Sequence, residues 1–232
     1  MTNWIKVGLL STAMISITAS ADKVDLKDKS NAESYALGYQ IAKVFRDHKV
    51  DINFDAYSQG FKAGISGKDP ALSEADLQLT LQNFQKDMMQ KQEQKQLQEA
   101  EKNQKAGQDY LTANKKKSGV MTLPDGLQYK VITKGSGTKP GTNDTVVVDY
   151  EGALIDGTVF DSSYKRGMPA KFALNAVIPG WQEILQKMTV GSTWMIYVPP
   201  ELAYGSSGSP GTIPPNATLV FKIHLISIDG KK

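Results

Sequence analysis

The side chains that could do chemistry in this chain are few. It has no cysteine, which excludes disulfides, thiolate nucleophiles and cysteine-bound zinc. Its histidines, His48 and His224, stand far apart with neither a triad partner nor metal-ligand spacing around them, so no metal or cofactor is expected. What remains are the aromatic residues, 9 Tyr, 7 Phe and 3 Trp, and the carboxylates that lie among them, such as Asp161. An aromatic residue at strand spacing is most often core. Asp161 is different, because a carboxylate between Phe160 and a turn, amid apolar neighbours, needs hydrogen-bond partners. An Asx-turn with Ser162 and Ser163 is the plainest way to supply them. Such residues offer a dry aromatic surface, without a nucleophile or a proton-transfer pair.

The stretch that organises them is Ala203–Phe221, AYGSSGSPGTIPPNATLVF. Its first half carries Gly205, Gly208, Gly211, Pro210, Pro214 and Pro215 and cannot continue a helix or a central strand. Its second half alternates into a strand, with Leu219, Phe221, Ile223 and Leu225 on one face and Val220, Lys222 and His224 on the other. A loop that carries Tyr204 and Ile213 back over a sheet builds one wall of a pocket.

This stretch resembles the signature loop and last strand of the FKBP family, the FK506-binding peptidyl-prolyl cis/trans isomerases. The rest of the pattern lies upstream in order: VVVDYEGAL (Val146–Leu154), GTVFDSS (Gly157–Ser163), AVIPGWQEIL (Ala176–Leu185) and VGSTWMIYVPPELAYG (Val190–Gly205). The resemblance implies a pocket in which Tyr150, Phe160, Asp161, Trp181, Tyr204 and Phe221 are the catalytic set. Phe172, Val177, Ile178 and Ile213 would bind substrate or inhibitor. It also implies proline-containing peptides and folding proteins as partners, and FK506- or rapamycin-type macrolides as ligands. Ala170 stands where many members carry a pocket aromatic, and Ser209 where some carry a histidine, so the pocket rim is expected to be more open. The implied fold is an antiparallel sheet wrapped around one short helix. Its strands are expected at Leu127–Lys134, Thr145–Leu154, Lys171–Leu174, Thr193–Val198 and Thr218–Ile228. The helix begins near Pro179, where a missing amide costs nothing.

The remaining chain must position that domain. The chain has 232 residues, with 27 basic against 24 acidic, so its balance makes no electrostatic case for nucleic acid. Residues 1–21 have Lys6, an apolar run over Val7–Thr18 and a small-x-small end at Ala19-Ser20-Ala21, the pattern of a cleaved export signal. Residues 22–70 read as a small helical unit. Tyr35, Leu37, Ile41, Val44 and Phe45 form one apolar face, and Phe54, Tyr57, Phe61 and Ile65 another, with Asp51 or Asn53 as the cap between them. Such a unit buries too little to stand alone, which points to a second copy. Residues 71–119 read as one long helix, started by Ser73 and Asp76 and stopped at Gly119. Between Met89 and Lys105 it is polar all round, as a helix bridging domains through water would be. Residues 120–232 are the isomerase domain.

The layout resembles the Mip-like (macrophage infectivity potentiator) proteins of Gram-negative bacteria. That resemblance implies a homodimer through the amino-terminal domain, exported to the periplasm, the outer membrane or the cell surface. The expected fold class is α+β. The expected function is prolyl isomerisation in the folding of exported proteins. The alternative is a dimeric chaperone or surface protein that binds proline segments without turnover.

Overall fold

A computed structural model describes residues 24–230. The expected export signal, residues 1–21, lies outside the described residues. The chain divides into two compact units after Leu77.

In the first unit, helix α1 spans Lys29–Asp47 and helix α2 spans Phe54–Ile65. Asp28 caps α1 by accepting from the Asn31 amide at 2.9 Å. Of the two expected caps for α2, Asn53 does the work, accepting from the Ala56 amide at 3.0 Å. Phe45 and Tyr57 meet edge to face, with ring centres 5.9 Å apart. Neither helix buries a single residue. Leu37 is 68% exposed, Phe54 74% and Ile65 74%. The unit folds locally but leaves its apolar faces in water.

Helix α3 runs from Glu74 to Asn114. Ser73 starts it: its hydroxyl accepts from the Asp76 amide at 3.1 Å and donates to the Asp76 carboxylate at 2.6 Å. Its middle is exposed, as the polar stretch Met89–Lys105 requires. Its last turns are not. Gly107 and Asn114 are buried, and a Cβ on Gly107 would stand 2.2 Å from Thr218 Oγ1. Asn114 donates to Gln128 Oε1 at 3.0 Å, and Gln128 Nε2 donates to the Leu111 carbonyl at 2.9 Å. Tyr110 packs against Tyr197 at 6.1 Å. The sequence reads residues 71–119 as one connecting helix and gives no sign that its end is docked. That end is a docked arm of the second unit, held by one glycine and two amide side chains. Lys117 lies over the Tyr110 ring at 5.5 Å.

The second unit is a seven-stranded antiparallel sheet. Its strands are β1 (Val120–Thr122), β2 (Gln128–Thr133), β3 (Thr145–Leu154), β4 (Val159–Ser162), β5 (Ala170–Ala173), β6 (Thr193–Val198) and β7 (Leu219–Ile228). Their order is β1-β2-β6-β7-β3-β4, with β5 also paired to β3. Strands β1 and β4 were not anticipated; one is too short and the other too interrupted by polar residues to show an alternating pattern. On β3 the inward positions are Val146, Val148, Tyr150 and Gly152, alternating with half-buried outward ones. A one-turn helix α4 (Ser163–Arg166) follows β4, and helix α5 (Pro179–Leu185) lies across the sheet. Trp181, Ile184 and Leu185 of α5 are buried against Ile196, Val198, Leu219, Phe221 and Ile223. Gly180 allows that approach, since a Cβ there would come within 2.6 Å of Val198 Cγ1.

Candidate functional site

The sheet and α5 gather Tyr150, Phe172 and Phe221 around Trp181, with Phe160 beside Phe221. Tyr150 meets Trp181 edge to face, with ring centres 5.2 Å apart at 89°. Phe172 does so at 5.7 Å and 90°, and Phe221 at 5.3 Å and 81°. Phe160 extends the wall through Phe221, at 5.7 Å and 89°. These are the edge-to-face geometries that aromatic quadrupoles favour, so the rings hold one another in place. Trp181 is buried because α5 is pinned at both ends. Pro179 starts it, and Leu185 packs in the core at its close.

Val177 and Ile178 precede α5 and pack against the same core. The Ile178 carbonyl accepts from the Trp181 amide at 2.9 Å and the Gln182 amide at 3.1 Å. Gln182 Nε2 takes the Val177 carbonyl at 2.7 Å. These bonds occupy the carbonyls of both residues, and none of them uses the Ile178 N–H. Opposite, the loop that carries Tyr204 and Ile213 is stapled. The Ser209 amide donates to the Ile213 carbonyl at 2.8 Å, and the Ile213 amide returns to the Ser209 carbonyl at 2.8 Å. The Asn216 amide closes the loop on the Gly205 carbonyl at 2.9 Å. Gly208 is required within it: its φ is +61°, and a Cβ would lie 2.3 Å from the Ile213 carbonyl oxygen. Ile213 is thereby buried, while Tyr204 remains 43% exposed at the rim. Ala170 is half-buried opposite Val148, and Ser209 spends its backbone on the staple.

Asp161 takes a backbone hydrogen bond from Ser162, as the expected turn would supply, but its main partners lie elsewhere. Its carboxylate accepts from the Tyr150 hydroxyl and from Arg166 Nη1, and Arg166 Nη2 reaches the same hydroxyl at 2.9 Å. The guanidinium also sits over the Tyr150 ring at 5.4 Å. Burial alone pushes the Asp161 carboxyl up, but the Tyr150 and Arg166 hydrogen bonds and the guanidinium charge outweigh it and hold it below the usual carboxylate range. Burial and the Asp161 bond push the Tyr150 hydroxyl above its ordinary value, with Arg166 partly opposing them. The serine hydroxyls are engaged elsewhere. Ser162 Oγ caps α4 through the Lys165 amide, and Ser163 Oγ bridges the Tyr150 amide and Asp149 Oδ1 at 2.9 Å each.

Arg166 is the site residue that sequence reasoning missed. Its signal was present but faint: Ser162 as a cap and Gly167 in the left-handed region, φ +71°, bracket a single turn that folds Arg166 back onto Asp161. His224 stays out of the cleft, bonded through Nδ1 to Thr193 Oγ1 at 3.0 Å across the β6–β7 pair. The arrangement can grip an apolar ring and hold a carbonyl. It has no group poised to move a proton.

An antiparallel sheet wrapped over one short helix, with an aromatic cluster centred on that helix's tryptophan, defines the FKBP class of isomerase domain. Residues 136–226 match the model of the FKBP-type peptidyl-prolyl cis-trans isomerases, and residues 30–131 match the domain amino terminal to them. The chain is 46% identical over 224 residues to the outer membrane protein MIP of Legionella longbeachae, covering 97% of this chain and 96% of that one. It is 47% identical over 222 residues to the peptidyl-prolyl cis-trans isomerase Mip of Coxiella burnetii, covering 96% of each. The crystal structure of FkpA from Escherichia coli superposes with a TM-score of 0.72 at 37% identity, covering 87% of this chain and 97% of that one. The chain belongs to the FKBP family, as an isomerase of the kind that carries the amino-terminal FKBP domain, and it is a peptidyl-prolyl cis-trans isomerase.

Proposed function

We propose that catalysis is the binding of an X-Pro bond in the aromatic cleft, with no covalent or acid–base step. The observation that carries this reading is the packing of Tyr150, Phe172 and Phe221 edge to face around Trp181, while the one nearby carboxylate is tied to Tyr150 and Arg166. The barrier to rotation is ~18–20 kcal/mol because resonance gives the peptide C–N bond double-bond character. A prolyl bond populates both isomers yet exchanges over tens of seconds or longer. In the twisted transition state that resonance is lost, and the carbonyl is less polar than in the planar amide. A cleft walled by Tyr150, Phe160, Phe172 and Phe221 over Trp181 therefore favours the twisted form. The Ile178 N–H and the exposed Tyr204 hydroxyl are the donors that hold substrate carbonyls. Val177 and Ile213 close the apolar rim. Asp161, fixed by Arg166, holds the Tyr150 ring in place. The same cleft is proposed to take FK506- and rapamycin-type macrolides, with a rim left open by Ala170 and Ser209.

The wider assembly in this reading is a homodimer joined through α1 and α2, exported to the envelope or surface. Exposed apolar faces on a unit with no buried residue support the dimer. The leader-like residues 1–21 and the name of the Legionella relative support export. Exported folding proteins are the proposed clients. The second reading, a dimeric binding protein without physiological turnover, draws on the same exposed faces. A prolyl-peptide isomerisation assay separates the two. Turnover lost in Trp181→Ala and Tyr204→Ala, with aggregation suppression kept, is the expected result; binding without turnover in the parent would establish the second reading.

A further inference from the structure

The docked face of α3 does not end where the docking ends. Ala100, Asn103, Gly107, Tyr110 and Asn114 follow one another at helical spacing, and all are at least half-buried. Continued toward the amino terminus, the same stripe passes through Glu99, Gln96 and Gln92. Those side chains are exposed, and between them and the loop Ser207–Pro215 lies an open groove of about 420 Å3. Asn103 marks the hinge of this wedge, where its Nδ2 donates to the Pro215 carbonyl at 2.9 Å. Beyond it, helix and loop part company. The other wall contains Pro210, Gly211, Thr212, Ile213, Pro214 and Pro215.

We propose that this groove is an extended subsite for unfolded polypeptide, taking the residues that flank the proline held in the cleft. This rests on the isomerase reading above. Three observations favour a client chain as the occupant. First, Ile213 lines the groove and is also buried in the cluster that contains Trp181, Tyr150 and Phe221, so groove and cleft share a wall. A chain with its proline on Trp181 passes that wall. Second, Gln92 and Gln96 present amides, each able to donate to and accept from a backbone, which suits a client of unspecified sequence. Third, Pro210, Pro214 and Pro215 have no N–H, so their backbone offers no donor to compete with a client's for the glutamine amides. Glu99 is the one charged group lining the groove. It selects for lysine or arginine in the flanking segment.

The test compares a four-residue prolyl peptide with versions extended by six residues on either side, using the full chain. The parent should show a lower KM for at least one extended peptide, on the order of fivefold to tenfold, as one or two net hydrogen bonds contribute. Gln92→Ala, Gln96→Ala and Glu99→Ala together should abolish that advantage while leaving kcat/KM on the short peptide unchanged. All three positions are exposed and alanine favours helix, so folding is retained. Glu99→Lys should reverse a preference for lysine over glutamate in the flank. Equal KM for short and extended peptides in the parent, or an advantage that survives the triple substitution, overturns the proposal. Failure of the isomerase reading looks different, since no peptide of either length would then turn over.

Discussion

Gly152 stands opposite Phe221 in the β3–β7 register and opposite Asp161 in the β3–β4 register. A Cβ at this position would lie 2.7 Å from Phe221 Cε1 and 2.8 Å from Phe160 Cε2 and Cζ. Ordinary contact begins at 3.4 Å, so Gly152→Ala asks both rings to move by about 0.6–0.7 Å. Phe221 has little room, since it is 4% exposed and locked edge to face against Trp181. Phe160 is half-buried and must take most of the displacement. Overpacking of this kind costs ~1–3 kcal/mol, and the stiffer alanine backbone returns ~0.5–1 kcal/mol. The net loss, about 0–2.5 kcal/mol, lowers Tm by roughly 4–8 °C per kcal/mol for a domain near 100 residues. The effect on catalysis is larger than that loss suggests, because the methyl moves the wall of the cleft. A tenfold fall in kcat/KM on a short prolyl peptide, at a temperature well below Tm, corresponds to ~1.4 kcal/mol of lost transition-state binding. Adding Phe160→Leu should recover most of the Tm and little of the activity. A Gly152→Ala protein whose kcat/KM stays within twofold of the parent would refute the argument that these rings form the working wall.

Other expectations follow from the same geometry. Asp161 is held below the carboxylate range and Tyr150 above its own, so kcat/KM should be nearly flat from about pH 6 to 8; a bell-shaped profile would contradict it. Because the folded Asp161 pKa is depressed, its contribution to stability is complete above its unfolded value near ~3.9 and fades as pH falls through the folded one, which acid titration of Tm should show. Arg166→Ala should lower kcat/KM roughly threefold to tenfold by freeing Asp161 and Tyr150, with a small change in Tm because that ion pair is substantially exposed. Gly107→Val places a Cβ against Thr218 and should release the last turns of α3, seen as faster hydrogen exchange at Leu111 and Asn114. A domain cut at Leu123 loses the Leu111 carbonyl and Asn114 from Gln128, and should melt below one cut at Gln98.

The sequence by itself determined the local elements and the chemistry of the cleft. Thr145–Leu154 and Thr193–Val198 were placed to the residue because their segments resemble strands of the FKBP pattern, and Pro179 marked the start of its helix. The helix caps Asn53 and Ser73 could be read because a cap acts on an amide only two or three residues away. The absence of cysteine and the isolation of both histidines pointed away from nucleophilic and metal chemistry before any fold was known.

What tertiary structure decided were the partners that lie far apart along the chain. Arg166 belongs to the site only because one turn after β4 swings it back onto Asp161 and Tyr150. The end of α3 belongs to the isomerase unit only because Gly107 meets Thr218, more than a hundred residues later, and because Gln128 accepts from Asn114 Nδ2 and donates to the Leu111 carbonyl out of water. No periodicity records such pairings. A glycine in a polar helix reads as a weakness, and an asparagine near its end reads as fraying, until the opposing surface shows that one makes room and the other supplies the hydrogen bond that burial demands.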